Sequence, residues 1–344
     1  MEGTSRARVV AQLLVFAIVA ITLVACGGGG TGGGSVIPSS TGSGGTGSGG
    51  SGAITLSTLP VEPDTSGSTS GVFIGADCGG QAIVSCPNFA SDFRHGIALG
   101  TIYAGWSDDL GSVVQGQSLA SWSQQGIVPQ ITWMPGTGVT YDAINQGTYD
   151  SYITTSAQEL KAFGSTIFLR PFHEFNGDWY PYGLANQGAD SAADTAFINA
   201  WRRVYTIFQQ QGATNVKFVW CYAAGSSPSA QTSPWNNPAN AYPGDAYVDW
   251  IAFDAYNRGS ISDGLPWNSF DQIMNAPYQL AISISTSKPI MAAEMASNEY
   301  GDGGNQKASW IAAMIAELTS PSNPYPNLKL ISWFEGDPNG YVYN

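Results

Sequence analysis

Short apolar segments recur along the chain from residue 72 onward. Eight of them have the length of β-strands, and they occupy residues 72–76, 97–103, 127–133, 166–172, 216–222, 248–256, 289–295 and 328–334. Most are apolar throughout and do not alternate with polar residues, which is typical of parallel strands covered on both faces. The pattern therefore predicts a parallel β-structure with buried strands.

Amphipathic helical patterns lie between several of these strands, at residues 151–164, 194–212 and 307–318. The second pattern stops at a glycine, Gly212, and places large apolar residues on one face: Phe197, Trp201, Val204, Tyr205 and Phe208. Alternating strands and helices predict an α/β protein, a (β/α)8 TIM barrel over residues 72–344. A doubly wound open sheet is the alternative, but residues 75–82 lack its Gly-rich phosphate turn.

The end of the chain bears on how the barrel closes. Only ten residues follow Phe334. We therefore expect the barrel to lack a complete final helix, and the segment 53–71 is a candidate for covering the gap.

The N-terminus has the form of an export signal. Arg6 and Arg8 precede an apolar run at residues 9–25. Residues 23–26, LVAC, resemble the bacterial lipoprotein box, so we expect residues 1–26 to be a lipoprotein-type signal peptide with Cys26 as the lipidated residue. An ordinary secreted protein or a retained anchor is the alternative. The protein is then exported, either secreted or a cell-surface or periplasm-facing lipoprotein, and touches the membrane only through Cys26.

Composition separates the tether from the folded part. Residues 27–71 are rich in Gly and Ser and predict a disordered linker. In an exported chain we expect a disulfide between Cys78 and Cys86, whereas Cys221 lies in an apolar strand and reads as a buried free thiol.

Charge and aromatic content limit the classes of molecule that the protein is expected to bind. The chain has 12 Lys and Arg against 25 Asp and Glu, a net charge of -13, which repels nucleic acid. Aromatic residues make up 12% of the chain, and flat rings suit sugar surfaces as well as core packing. We expect a monomer that needs neither a metal nor an organic cofactor.

Chemistry in a TIM barrel lies at the C-terminal ends of the strands. Glu174 ends the fourth strand segment and Glu294 the seventh, so both should face one cavity. Aromatic and polar residues end other strands: Trp106, Trp133, His173, Tyr222, Asp254, Tyr256 and Trp333. Two carboxyl groups ringed by aromatics are what a glycoside hydrolase needs. The alternative to a catalytic role is that each Glu is an exposed loop residue, as an isolated Glu usually is.

Other catalytic motifs do not fit. A zinc protease motif HExxH would need a second histidine where Gly177 stands, and the P-loop spacing at residues 111–118 has Gln117 in place of the lysine. The sequence contains no GxSxG motif of a serine hydrolase.

Residues 168–183, FLRPFHEFNGDWYPYG, resemble the fourth-strand signature of glycoside hydrolase family 26, and later segments are similar to that family in the same order. The resemblance implies a retaining, endo-acting β-glycanase. Glu174 would be the general acid/base and Glu294 the nucleophile, with their carboxyls about 5–5.5 Å apart.

The resemblance also implies a set of supporting residues. His173 would support the acid/base and Tyr256 the nucleophile, while Trp179 and Trp333 would line the sugar. Arg170 and Asn176 would position the site. With the strand-end tryptophans added, the expected substrate-binding set is His173, Trp179, Tyr256, Trp333, Arg170, Asn176, Trp133 and Trp106.

The substrate is less determined by the sequence. Tyr182 stands where family members often have Trp, and Ala223-Ala224 where they have Pro-Asn. We expect β-1,4-mannan or glucomannan. Mixed-linkage β-1,3-1,4-glucan and β-1,3-xylan are the alternatives, and a carbohydrate-binding barrel without turnover is the alternative of another class.

Overall fold

The computed structural model describes residues 71–77, 97–259, 264–298 and 305–334. Eight strands lie in these ranges, each within two residues of its predicted bounds. They are β1 (Phe73–Asp77), β2 (Leu99–Gly105), β3 (Val128–Met134), β4 (Ile167–Pro171), β5 (Val216–Ala223), β6 (Trp250–Asn257), β7 (Ile290–Ser297) and β8 (Leu328–Phe334).

All eight strands are parallel and form a closed barrel in chain order. β1 pairs with β8 over five residues, so the sheet has no free edge at that point. The predicted TIM barrel is confirmed and the open-sheet alternative is wrong. Parallel strands of this kind are buried on both faces, which is why their sequences are apolar throughout.

Seven α-helices surround the barrel in the described ranges. They are α1 (Leu110–Gly116), α2 (Leu119–Gln124), α3 (Tyr141–Asn145), α4 (Asp150–Phe163), α5 (Ser191–Gln210), α6 (Phe270–Ile284) and α7 (Asn305–Leu318). The three predicted helices are confirmed as α4, α5 and α7. The face of α5 chosen from the sequence is the one that packs on the barrel, because Phe197, Trp201 and Phe208 are buried.

Within the described ranges, the alternation of strand and helix fails between β5 and β6. Residues 224–249 connect β5 to β6 without an α-helix and contain only three short 3-10 helices, at Pro234–Asn236, Pro238–Ala241 and Asp245–Tyr247. Proline fixes φ and lacks the backbone donor that a helix interior needs. Four prolines in this segment, at positions 228, 234, 238 and 243, leave no stretch long enough for a stable α-helix.

Side chains along each strand alternate between the barrel interior and the surrounding helices. The lower interior is apolar and consists of Leu99, Val128, Phe168, Val219, Cys221, Trp250, Ala252, Met291, Ala293 and Leu330. Polar residues follow above it, where Gln130 donates to Thr101, and Thr101 lies 3.4 Å from the hydroxyl of Ser332. The interior therefore changes from apolar to polar towards the C-terminal ends of the strands.

Several sequence-based expectations lie outside the described residues. These are the signal peptide, Cys26, the linker, the Cys78–Cys86 disulfide and the end of the chain after Phe334. Cys221 is described, and it is buried and free. Within the described ranges the helices are all too short or too polar to cross a membrane.

Candidate active site

A bulge in β7 places Glu294 inside the barrel. Asp254 of β6 pairs with Glu294, while the preceding pair is Phe253 with Ala292, so Ala293 is an extra residue in β7. An extra residue changes which side chains face inward from that point on. Ala293 lies in the apolar interior and Glu294, the next residue, also points inward. Strict alternation would have turned Glu294 towards the helices.

Three donors from three strands hold the carboxylate of Glu294. The Tyr103 hydroxyl on β2 donates to Oε1 at 2.8 Å, and Nη2 of Arg170 on β4 donates to the same oxygen at 2.5 Å. The hydroxyl of Tyr256 on β6 donates to Oε2. The carboxylate is 95% buried and has a fixed orientation.

Arg170 is the positive centre of this cluster and is fully buried. Its Nη1 donates to both oxygens of Asp254, at 3.0 and 3.1 Å, while Nη2 reaches Glu294. Nε and Nη2 also donate to Thr132 Oγ1, at 2.9 and 2.7 Å. The guanidinium is therefore clamped between two carboxylates and a hydroxyl, an arrangement that is costly to break because it leaves buried charge unpaired.

The environment sets the ionisation of these carboxyls differently. Burial alone would raise the pKa of Glu294, but the charge of Arg170 and the hydroxyls of Tyr256 and Tyr103 lower it below its ordinary value. Burial, together with the neighbouring charge of Glu294, raises the pKa of Asp254. Glu294 is therefore held ionised at neutral pH.

The segment after β4 carries the second glutamate on a strained turn. Phe172 and Glu174 both have positive φ angles, 52° and 53°, which L-residues adopt at a cost of about 1–3 kcal/mol each. The backbone N–H of Glu174 donates to the carbonyl of Cys221 on β5 at 3.0 Å, which anchors the turn to the barrel. The turn directs Glu174 to the mouth of the barrel.

Trp179 lies beside Glu174, and its Nε1 donates to Glu174 Oε2 at 2.7 Å. Its side chain is 48% exposed, unlike the other tryptophans predicted for the site. A Cβ at Gly177 would lie 2.4 Å from the Trp179 ring, so only glycine allows this approach. The glycine of the Asn-Gly pair in the sequence motif thus has a steric explanation.

Glu174 has the opposite electrostatic environment from Glu294. Burial and the charge of Glu294 raise the pKa of Glu174 to about 7, against the weaker lowering effect of the Trp179 hydrogen bond. One carboxyl is therefore protonated near neutrality and the other is ionised. Two carboxyls whose pKa values differ in this way meet the electrostatic requirement of a site that uses one acid and one carboxylate.

His173 is buried between two tyrosines. Nε2 lies 3.1 Å from the Tyr180 hydroxyl, and Nδ1 lies 3.0 Å from the Tyr182 hydroxyl. Burial, and then the charge of Arg170, lower the pKa of His173 to about 3, so the ring is neutral near pH 7. His173 supports the site through packing and hydrogen bonds.

Asn176 is fully buried and faces the β5–β6 connection instead of the cleft. Its side chain exchanges hydrogen bonds with the backbone of Ala223, at 2.8 and 2.9 Å, and donates to Ser226 Oγ. Asn236 donates to the Asn176 carbonyl. Asn176 therefore joins two loops, and its side chain does not face the cleft.

Three of the predicted tryptophans also do not line the cleft. Trp133 is fully buried, faces the helices and donates to the Tyr152 hydroxyl at 3.2 Å. Trp106 packs on Trp133, with ring centroids 4.8 Å apart. Trp333 packs against Trp310 of α7, and Lys307 lies over its ring. Trp133 and Trp333 occupy outward-facing positions of β3 and β8, and Trp106 follows the end of β2. The strand-end rule alone did not distinguish these positions from inward-facing ones.

Three residues of the site that the sequence analysis did not predict point into the barrel. Tyr103 bonds Glu294, Thr132 bonds Arg170, and Phe334 packs edge-on against Tyr256 with ring centroids 5.8 Å apart. Phe334 follows Trp333 directly. Counting every second residue from the apolar interior, as in Leu330, Ser332 and Phe334, would have found it.

A metal ion fits this cluster poorly. His173, Asp254 and Glu294 offer ligand atoms within 4.8 Å of one another, the one such group in the described ranges. However, Arg170 already binds both carboxylates there. A divalent cation would have to displace a buried guanidinium.

Known proteins share this architecture. A solved structure from Muricauda sp., described as GH26C, matches with a TM-score of 0.56 and 14% identity over 81% of this chain and 80% of that one. The catalytic domain of a protein from Bacillus sp. JAMB-750, described as a GH26 endo-beta-1,4-mannanase, matches with a TM-score of 0.56 and 15% identity. The match covers 82% of this chain and 81% of that one. At such identities the similarity shows the fold alone.

Sequence comparison gives more specific relatives. Endoglucanase H of Acetivibrio thermocellus is 40% identical over 225 residues, which is 64% of this chain and 23% of that protein. Mannan endo-1,4-beta-mannosidase A and B of Caldalkalibacillus mannanilyticus is 30% identical over 157 residues, covering 45% of this chain and 26% of that protein. The chain thus spans about a quarter of the length of these relatives.

The family model described as "Glycosyl hydrolase family 26" matches residues 112–299, which is more than half of the chain and includes Glu174, Glu294 and Arg170. The fold, the motif around Glu174 and this match agree, and the chain belongs to glycosyl hydrolase family 26.

Proposed function

We propose that the protein is a retaining endo-acting β-glycanase with Glu174 as general acid/base and Glu294 as nucleophile. The observation that carries this proposal is the difference between the pKa values of the two carboxyls: Arg170 lowers the pKa of Glu294 and holds it ionised, while the pKa of Glu174 is about 7. Retaining glycosidases need one carboxyl of each kind on opposite sides of the scissile bond.

In the first step an oxygen of Glu294 attacks the anomeric carbon of the sugar. The bond from that carbon to the leaving oxygen breaks, and Glu174 gives its proton to the leaving oxygen. The product is a glycosyl ester on Glu294 and a shortened chain. Glu174 is now a carboxylate because it has given up its proton. Since Glu294 has lost its charge in the ester, it no longer raises the pKa of Glu174.

In the second step Glu174 accepts a proton from water as the water oxygen attacks the anomeric carbon. The ester bond to Glu294 breaks, the Glu294 carboxylate is restored, and Glu174 is protonated again. Two inversions give net retention. The half-exposed ring of Trp179 at the mouth suits the apolar face of a sugar.

We take β-1,4-mannan or glucomannan as the first candidate substrate. Support comes from the relatives named mannan endo-1,4-beta-mannosidase, from Caldalkalibacillus mannanilyticus and from Bacillus subtilis. Mannans and glucomannans share the β-1,4 linkage, and the same pair of carboxyls serves both.

A β-glucan is the second candidate, for a specific reason. Endoglucanase H is matched over a longer stretch and at higher identity than the mannosidases, 40% over 225 residues against 30% over 157. That relative is about four times longer than its matched part, so its printed name covers regions beyond the part that this chain resembles.

The first experiment is product release from galactomannan, glucomannan, barley β-glucan and β-1,3-xylan by the purified protein, beside Glu294→Ala. We expect mannan or glucomannan to be cut internally with retention of anomeric configuration, detected by NMR early in the reaction. The variant should lose activity by about 10⁴-fold or more. Barley β-glucan as the best substrate would select the second candidate.

Two outcomes would overturn the enzymatic roles. A folded wild-type protein that binds one polysaccharide and cleaves none would be a carbohydrate-binding barrel. Full activity in Glu294→Ala would remove the nucleophile assignment. Azide provides a positive control, because a small anion should restore turnover in the variant and give a glycosyl azide of inverted configuration.

We also propose that the protein is exported and anchored through Cys26. The support is the basic and apolar leader followed by LVAC at residues 23–26. Labelling with a radioactive fatty acid in a bacterial host should modify the wild-type chain and leave Cys26→Ala unmodified. Equal labelling of both chains, or none, would contradict the anchor.

A further inference from the structure

Tyr103 is a partly buried tyrosine whose hydroxyl contacts the carboxylate of Glu294. It lies on β2 and faces the interior, and its hydroxyl donates to Glu294 Oε1 at 2.8 Å. Its ring is also packed against the site: the Arg170 guanidinium carbon is 6.0 Å from the ring centroid, and the His173 ring centroid is 6.2 Å away. The ring and the hydroxyl are therefore both fixed.

The two oxygens of Glu294 are used unequally. Oε1 accepts from Tyr103 and from Arg170, whereas Oε2 accepts from Tyr256 among the described residues. A carboxylate oxygen has two lone-pair sites in the carboxylate plane. Both sites of Oε1 are thus occupied, and Oε2 keeps one free.

We propose that Tyr103 is a positioning residue that, together with Arg170, occupies Oε1 and makes Oε2 the oxygen that attacks the anomeric carbon. This rests on the nucleophilic role proposed for Glu294. In this role Tyr103 acts through Glu294.

The proposal assigns the bonds of both steps. A C–O bond forms at Oε2 as the leaving oxygen departs with the proton of Glu174. Oε1 then becomes the carbonyl oxygen of the ester and keeps the Tyr103 and Arg170 donors. When water attacks, the electron pair of the breaking bond returns to Oε2, and the two donors on Oε1 stabilise the re-forming carboxylate.

A pH profile separates this role from a purely structural one. A hydroxyl that donates to a carboxylate favours its ionised form. Without the Tyr103 hydroxyl, Glu294 should therefore bind a proton at higher pH, and the acidic limb of kcat/KM should move upward. The titratable and charged groups that interact with Glu294 from the packed elements, besides Tyr103 itself, are Arg170, His173, Glu174, Tyr180, Cys221, Asp254 and Tyr256.

The test compares Tyr103→Phe with Tyr222→Phe in the full chain. Tyr222 serves as the control because it is a buried tyrosine whose hydroxyl donates to the backbone carbonyl of Pro277, away from the carboxyls. We expect Tyr103→Phe to lower kcat about 10- to 100-fold, the cost of one hydrogen bond to a charged group, with little change in KM. Its acidic limb should rise by about one pH unit, while the control keeps the wild-type profile.

A second variant keeps the test decisive if Tyr103→Phe does not fold. Replacement of Tyr103 by 3-fluorotyrosine retains the ring and the hydroxyl but makes the hydroxyl a stronger donor. The acidic limb should then move to lower pH. The proposal is overturned if the profile is unchanged in either variant, or if Tyr222→Phe moves it equally. Failure of the nucleophile assignment is detected separately, by an active Glu294→Ala.

Discussion

The two faces of the same strands differ sharply at the C-terminal end of this barrel. Inward-facing positions carry a charged, hydrogen-bonded cluster around Arg170, Glu294 and Tyr103. Outward-facing positions carry Trp133 and Trp333, which are packed against helices. On β3 the difference falls between two neighbours, because Thr132 points inward and accepts from Arg170, whereas Trp133 points outward and donates to Tyr152. Neighbouring residues on one strand can therefore have unrelated tasks.

The largest effect should follow from removing the charge at the centre of the inner cluster. Arg170→Met leaves Asp254 and Glu294 buried without their cation, so we expect the free energy of unfolding to fall by about 3–5 kcal/mol. We also expect kcat/KM to fall by at least about 10²–10³-fold. Denaturant unfolding and hydrolysis rates measure the two losses. A stable, active Arg170→Met protein would contradict the role of the cluster.

Substitutions at outward-facing positions should change the stability of the protein and leave its activity unchanged. Trp133→Ala removes a fully buried ring and should cost about 3–5 kcal/mol. The folded fraction should retain the wild-type kcat/KM, because Trp133 does not face the cleft. Trp179→Ala is the matched contrast: it should leave the melting temperature unchanged and lower kcat/KM about tenfold through loss of a sugar contact. If Trp133→Ala lowered kcat/KM and Trp179→Ala lowered only stability, the division between structural and substrate-facing positions would be wrong.

The pH dependence of the reaction should report Glu174. A general acid must be protonated, so activity should fall as pH rises through its pKa of about 7. The Trp179 hydrogen bond to Glu174 lowers that pKa. Trp179→Phe removes the bond and should move the alkaline limb to higher pH, by up to about one unit. A downward shift would contradict the assignment of Glu174 as the acid.

The smallest effects should come from two adjacent residues of β8. Phe334→Leu loosens the packing on Tyr256 and should lower kcat/KM a few-fold. Trp333→Phe should leave kcat/KM unchanged and cost about 1 kcal/mol of stability from reduced packing. Steady-state kinetics beside thermal unfolding distinguishes the two. Equal kinetic effects would mean that both residues influence the cleft.

Much of the fold could be predicted because the relevant signals are local. Eight apolar segments separated by helical patterns require a closed parallel sheet to bury their surfaces, and the strands appear within two residues of the prediction. The β5–β6 connection was the exception, since the barrel pattern was extended over a proline-rich segment that has no α-helix.

The candidate site was only partly predictable. The motif around Glu174 and the strand-end position of Glu294 identified both carboxyls. The surrounding residues are harder to predict, because position at a strand end and resemblance to a family do not show which way the side chains of Trp133, Trp333 and Asn176 point.

The sequence alone determined the barrel, the two glutamates and the family resemblance, because hydrophobic periodicity and a compact motif are properties of neighbouring residues. The tertiary structure decided which strand residues face the cavity and which oxygen of Glu294 each donor occupies. It also decided the difference between the pKa values of the two carboxyls. These depend on a bulge at Ala293 and on burial beside Arg170, which bring together groups more than a hundred residues apart.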